Sequence, residues 1–376
     1  MRFLFSSILK RIIIVSVIVA FCAVVLLCVI VATRMAIGIS DYHKGLTDYN
    51  EQRYDAALPL FQTAANYGIP VAMTYMGVLY GNGRGVSVDY GKAMKWYRKA
   101  ATNGDSYGMW DIGILYQGGK GVSQDYNQAL YWYQKAAAKG NARAMNNIGV
   151  LYDRGLGVAK NHQKAMEWYQ KATQQYQVAA ADGDTYAMNQ IGLSYEHGQG
   201  VTKNYSLAMH WFQRAADKGN AAGMKYIGDL YVNGHGVTKD YKRAMKWFQK
   251  AAALGGAAAM NNIGFLYAKG LGVKENYALA MRWYQKAAAL GDAAGIYNVG
   301  RLYDNGFGVK QDYSKAMYWY KKAAAQNVTY AMNGIAKMYA QGHGVKKNIP
   351  TAITWWKKAA AFGNKDAIKA LKANVQ

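Results

Sequence analysis

Six histidines, His43, His162, His197, His210, His235 and His343, are the side chains best placed by type for proton transfer or metal ligation near neutral pH. Their spacing serves neither purpose. No HExxH, CxxC, GxSxG or paired-carboxylate motif accompanies them, and four lie in or beside turns. The glycine pairs of those turns, such as Gly83 and Gly85, invite comparison with a phosphate loop. No GxxxxGK[ST] occurs, however, and the same turn recurs eight times, which marks it as structural. Cys22 and Cys28 both sit in an apolar N-terminal stretch, behind Phe21 and Leu27 and not behind the small residues a lipidation signal needs. The expectation is a non-enzyme with no catalytic residues, no metal and no cofactor.

The polar chemistry that does recur is periodic. A basic residue stands three positions after a tryptophan in every period: Lys99, Lys135, Lys171, Arg214, Lys250, Lys286, Lys322 and Lys358. A cation in the last turns of a helix is favoured by the C-terminal end of the dipole by about 0.3–1 kcal/mol. Stacked, the same residues also form a ladder that could serve as an anion-binding ridge. A second column is always Asp or Asn (Asp89, Asp125, Asn161, Asn204, Asp240, Asn276, Asp312, Asn348) and reads as N-caps that accept from the orphan N–H groups of a following helix.

The elements that carry these columns follow from the period. A shift of 36 residues aligns Trp96, Trp132 and Trp168, then Trp211, Trp247, Trp283, Trp319 and Trp355. Eight repeats result, at 69–104, 105–140, 141–183, 184–219, 220–255, 256–291, 292–327 and 328–363. The third is seven residues longer around Gln174 to Ala180, close to two helical turns, so its second helix lengthens without turning its buried face. Each repeat reads as two helices joined by a Gly-x-Gly-Val turn. In the second helix, Ala165, Trp168, Tyr169 and Ala172 share the i, i+3, i+4, i+7 face, which is core. Glycines inside the first helix, such as Gly77, Gly149 and Gly264, mark close backbone approach. Ala336 takes that place in the last repeat, so small size is the expected requirement.

The pattern Ala-x-x-x-Ile-Gly-x-Leu-Tyr-x-x-Gly-x-Gly-Val-x-x-Asp/Asn, followed by Ala-Met-x-Trp-Tyr-x-Lys-Ala-Ala-x-x-Gly, resembles the Sel1-like repeat, a relative of the tetratricopeptide repeat. The resemblance implies an all-α, right-handed solenoid of helix pairs, with the first helices lining the concave side, and an adaptor role. A secreted branch of that family carries a disulfide in each repeat. The cysteine-free repeats here do not match that branch.

Ahead of the array, residues 12–33 contain no charge and are long enough for one transmembrane helix. Residues 1–11 are then its cytoplasmic flank, 34–68 a tether and capping helix, and 364–376 a C-terminal cap. Residues 54–68 look like a lone second helix, and residues 35–53 a short tether or helix. Arg2, Lys10 and Arg11 before the span favour repeats outside the cytoplasm, as in a bacterial inner-membrane protein with its repeats in the periplasm or outside. The net charge is +24. Setting aside Arg2, Lys10, Arg11 and Arg34 from the 45 basic residues leaves 41 against 21 acidic ones. Anionic lipid or envelope polymers are therefore candidate neighbours, while nucleic acid is not expected because no binding motif for it occurs.

Framework columns repeat, but the intervening positions of the first helices do not, which makes those positions the expected groove for proteins or extended peptides. They are Trp110 and Asp111, Asn146 and Asn147, Asn189 and Gln190, Lys225 and Tyr226, Asn261 and Asn262, and Tyr297, Asn298 and Arg301. Amides can bond a peptide backbone from both sides, and aromatic rings supply flat contact area.

Overall fold

The computed structural model describes the backbone of residues 2–374 and the side chains of residues 21–374. Among the described residues there are helices and no strands. The chain divides into two compact units, Met1–Gln175 and Tyr176–Gln376, with the division inside one helix. The N-terminal unit contains α1 (Arg2–Asn50), α2 (Tyr54–Asn66), α3 (Pro70–Asn82), α4 (Tyr90–Thr102), α5 (Ser106–Gly118), α6 (Tyr126–Ala138), α7 (Ala142–Arg154) and the start of α8 (His162–Ala181). The C-terminal unit follows with α9 (Thr185–His197), α10 (Tyr205–Asp217), α11 (Ala221–Asn233), α12 (Tyr241–Ala253), α13 (Ala257–Lys269) and α14 (Tyr277–Ala289). It ends with α15 (Ala293–Asn305), α16 (Tyr313–Ala324), α17 (Thr329–Gln341), α18 (Ile349–Ala361) and α19 (Lys365–Asn374).

Helix α8 is 20 residues long where its counterparts have 12 or 13, which is where the seven extra residues are absorbed. All eight Asp/Asn residues of the second column accept a hydrogen bond from a backbone N–H two or three residues on. The first helices have their own capping column, which the sequence reading used only as repeat boundaries. Asp105, Asn141, Asp184, Asn220 and Asp292 cap α5, α7, α9, α11 and α15.

The turn between paired helices requires glycine twice. Gly155 closes α7 at φ +69°, the left-handed conformation of a helix C-cap. Gly157 also has φ +69°, and an added Cβ there would stand 2.6 Å from the Tyr126 Cβ of the preceding repeat. The turn is thus a contact between neighbouring repeats as well as a reversal of direction.

The glycine inside each first helix has a more specific partner than its size implies. A Cβ at Gly77, Gly113 or Gly149 would meet the ring of Tyr97, Tyr133 or Tyr169 at 2.4, 2.4 and 2.5 Å. Gly192, Gly228, Gly264 and Gly300 face Phe212, Phe248, Tyr284 and Tyr320 in the same way. The ring comes from the second helix of the same repeat. In the last repeat Ala336 replaces glycine, and there the ring is Trp356, whose Nε1 donates to Asn333 Oδ1 at 3.0 Å. Small size is therefore a requirement of the Tyr or Phe ring, and it relaxes where the ring changes.

The segment read as a short tether or helix is helical as far as Asn50. It forms the last part of α1 and packs along α2, so α2 is not a lone helix. A Cβ at Gly38 would stand 2.9 Å from Tyr67 Cβ, and one at Gly45 3.0 Å from the Phe61 ring. Tyr42 and Tyr49 pack against the core formed by Ala57, Phe61 and Met76. Upstream, the helix is long and apolar enough to cross a membrane, an 18-residue stretch within Phe21–Asn50 having mean hydropathy 2.5, and its side chains at Phe21, Leu26 and Leu27 are exposed. The side chains of residues 1–20, covering the flank and the first part of the expected span, lie outside those described.

Candidate functional site

In the N-terminal unit the first helices α1, α3, α5 and α7 line an open cavity of about 480 Å³. Its walls are aromatic: Tyr42 and Tyr49 from α1, Tyr75 from α3, Tyr107 and Trp110 from α5. Val71 and Val78 add aliphatic surface. The charged groups on the lining are Asp111 and Arg143. Trp110 and Asp111 were expected to face a groove, whereas α1's tyrosines and Arg143 were not singled out. The tyrosines come from a segment without the repeat signature, and Arg143 lies one turn before its repeat's variable positions.

The polar groups of this cavity differ in how far they are satisfied. Asp105 caps α5 by accepting from the Tyr107 and Gly108 N–H groups, and it also accepts from the Thr74 hydroxyl. The Arg143 guanidinium lies over the rings of Tyr107 and Trp110, 5.5 and 5.4 Å from their centroids. Asp111 is mostly buried and makes no hydrogen bond or ion pair among the described residues. Burial, and secondarily the Asp105 carboxylate, push its pKa up to about 8, against the opposing pull of Arg143. At neutral pH Asp111 is therefore largely a neutral acid. The Trp110 Nε1–H is buried without an acceptor among the described residues.

The remaining expected groove residues are mostly occupied by neighbouring repeats. Asn189 is instead buried, at 3% exposure, and its amide donates to the Asn220 cap at 3.0 Å. Asn262 donates to Asp229, and Asn298 to Asn261, at 3.0 and 2.9 Å. Lys225 pairs with Asp229 at 2.7 Å and lies over the Tyr226 ring. Tyr226 stacks on Phe212, and Tyr297 on Tyr320. Arg301 lies beside Tyr284 and Tyr297. Lys225 and Tyr226 also line a shallower cavity of about 320 Å³ with Gly256 and Ala257. Asn146, Asn147 and Gln190 are half-buried, and Asn147 faces the Tyr133 hydroxyl. The amides of Asn189, Asn262 and Asn298 thus stitch successive repeats together, which spacing alone did not reveal.

The basic ladder has an equally local partner. In all eight repeats the cation lies over its own tryptophan, from 4.3 Å for Lys99 on Trp96 to 5.3 Å for Lys322 on Trp319. These contacts cross an i, i+3 helix step, so each stem packs on the indole while the charge stays near water. Replacing Lys250 by Met should keep the stem and lose only the charge. Amide exchange in α12 should then report at most about 1 kcal/mol of local destabilisation, the value of an exposed cation–π pair.

Among the described residues no three His, Cys, Asp or Glu side chains converge as metal ligands would. Two of the histidines have an evident packing role. His235 stacks on Tyr205 at 4.5 Å and His343 on Tyr313 at 4.4 Å, each reaching the first residue of the preceding second helix. Phe307 stacks on Tyr277 in the same column.

The Sel1 repeat profile matches residues 70–105, 106–141, 142–176, 185–220, 221–256, 257–292, 293–328 and 329–364. Among solved structures, the chain is similar to c5321, a protective antigen of uropathogenic Escherichia coli strains with an SLR fold. The identity is 34%, over 88% of this chain and 70% of that one, with TM-score 0.46. It is similar to a Sel1 repeat protein from Oxalobacter formigenes at 36% identity, over 67% of this chain and 99% of that one, with TM-score 0.47. An immunity protein, Pa5087 from Pseudomonas aeruginosa, matches at 19% identity over 61% of this chain and 84% of its own, with TM-score 0.44. The comparison with curated protein sequences returned no match. With eight consecutive matches covering most of its length, the chain belongs to the Sel1 repeat family.

Proposed function

We propose that the chain is a non-catalytic, membrane-anchored scaffold that holds protein partners on the face formed by its first helices, with the aromatic cavity of the N-terminal unit as the principal contact. Sel1 repeats are interaction modules, which supports the general role. The observation that carries the specific one is the cavity itself, about 480 Å³ and lined by five aromatic rings. Aromatic side chains dominate contact energy at protein interfaces because they bury large area at little entropic cost. The exposed apolar stretch of α1 supports anchoring through one helix, with the array on the far side of the membrane from the N-terminal charges.

The competing reading is a basic tether to anionic lipid or envelope polymers, favoured by the net charge of +24 and the exposure of most ladder residues. A photo-cross-linking side chain at Tyr107 in the cavity, and another at Lys135 on the ladder, in full-length chain in its membrane, separates the two. The scaffold reading expects a discrete protein adduct from Tyr107, unaffected by raising salt from about 0.15 to 0.6 M, which shortens screening from about 8 to 4 Å. Adducts from Lys135 alone, lost at high salt, would replace it with the tether.

A further inference from the structure

We propose that the cavity of the N-terminal unit is an ammonium site, taking the charged end of a lysine side chain presented by a protein partner between Tyr42, Tyr75 and the Asp111 carboxylate. The assignment rests on the scaffold reading and specifies which chemistry the partner brings.

Three observations converge on a cation. The Arg143 guanidinium already lies over Tyr107 and Trp110, so two ring faces of this cavity hold a positive charge. Tyr42 and Tyr75 stand 6.1 Å apart with their planes tilted by 53°, Tyr75 lying with one face stacked on Phe61 at 4.8 Å. Asp111 is the one carboxylate on the lining, and it has neither a hydrogen bond nor an ion pair. Elsewhere in the same unit such aromatic surfaces are matched to cations, as Tyr49 and Tyr54 are to Arg84. Rings with an adjacent carboxylate attract an ammonium through the ring quadrupole and through direct charge. Val71 and Val78 offer aliphatic surface along which a four-carbon stem can lie.

An incoming ammonium favours ionised Asp111, so binding must expel the proton that Asp111 holds near neutral pH. The groups bearing on that proton are Asp105 and Arg143, together with Tyr49, Tyr97 and Tyr133 on the packed helices. The tyrosines are raised above their ordinary value by burial and remain neutral in this range. The proton released is therefore that of Asp111. A carboxylate ligand would have the opposite sign: it would accept from neutral Asp111 and draw protons in.

The test is titration calorimetry on the full chain in detergent micelles at pH 7.5, in two buffers of different ionisation heat, with N-acetyl-lysine methylamide as probe. The expected result is binding with net proton release, at least tenfold tighter than the uncharged norleucine counterpart and weakened at least tenfold by Asp111→Asn. Tyr42→Leu, which leaves the carboxylate in place, should weaken it severalfold, so the outcome does not hang on one variant. Circular dichroism confirms the helices of each. No binding of the lysine probe, or equal binding of the norleucine probe, overturns the proposal. So does tighter binding of N-acetyl-glutamate methylamide with proton uptake, which would make this an anion site. Tighter binding of phosphorylethanolamine than of the lysine probe would assign the ammonium to a lipid headgroup and overturn the protein source. If Tyr107 still cross-links to a protein while the lysine probe fails, only the ammonium assignment falls. If the probe binds but no adduct forms, the scaffold reading falls and takes the protein partner with it.

Discussion

Asp111→Asn is expected to stabilise the N-terminal unit strongly at pH 9 and much less at pH 5. The sign follows from where the proton resides. The folded-state pKa of Asp111 is about 8, against an ordinary value of 3.8, because burial opposes its charge. Below the ordinary value both folded and unfolded states are protonated, and burial of the carboxyl carries no charge penalty. Between pH 4 and pH 8 the unfolded chain gives up this proton and the folded chain keeps it. Stability therefore falls as pH rises through that window, and the loss is complete above the folded pKa. At about 1.4 kcal/mol per unit, the full span corresponds to roughly 5–6 kcal/mol as an upper bound. Asparagine keeps the shape and never ionises, so it removes the slope. Repeat arrays open locally, so a single melting temperature is a blunt readout. Amide exchange across Ser106–Gly118, compared between pH 5 and pH 9 for the native chain and the variant, gives the local value. A native chain that protects this helix equally at both pH values would show that Asp111 is not held neutral.

The second large effect concerns the glycines beneath the aromatic rings. Gly149→Ala adds a Cβ that would stand 2.5, 2.6 and 3.0 Å from three ring atoms of Tyr169, the body of the ring and not a movable tip. Overpacking of this kind costs about 1–3 kcal/mol, partly offset by the roughly 1 kcal/mol that alanine gains over glycine inside a helix. A net loss of up to about 2 kcal/mol is expected in the third repeat. Tyr169 is itself 3% exposed, and its truncation to Ala should cost about 3–5 kcal/mol. In the double variant the alanine at 149 meets no ring, so its cost should vanish and its helix propensity should remain. The double-mutant cycle therefore shows strong favourable coupling, measured by exchange in α7 and α8. Independent, additive losses would show that the helices separate freely and that the glycine is not there for the ring.

Much of this architecture is written in residue periodicity. Sequence determined the eight repeats, the helix pairs, the Asp and Asn caps, the glycine turns and the apolar face at Trp168 and Tyr169. All of these depend on contacts within about one repeat, and each recurs often enough to separate a structural role from chance. The same periodicity located the variable positions from which Trp110 and Asp111 come.

Tertiary structure alone decided what the variable side chains do. Asn189, Asn262 and Asn298 bond across repeats, at sequence separations of 31 to 37 residues, so their partners cannot be read from either helix by itself. The ladder cations lie over tryptophans three residues away, a choice of side-chain direction that composition leaves open between ring and solvent. The cavity was the least legible feature, because Tyr42 and Tyr49 lie outside the repeat pattern and join it only when the end of α1 packs on α2. Asp111 carries the same lesson. Sequence supplied a carboxylate at a variable position, but only its enclosure by helices distant in the chain removed enough water to change its protonation, since desolvation depends on everything packed around a group and not on its neighbours in sequence.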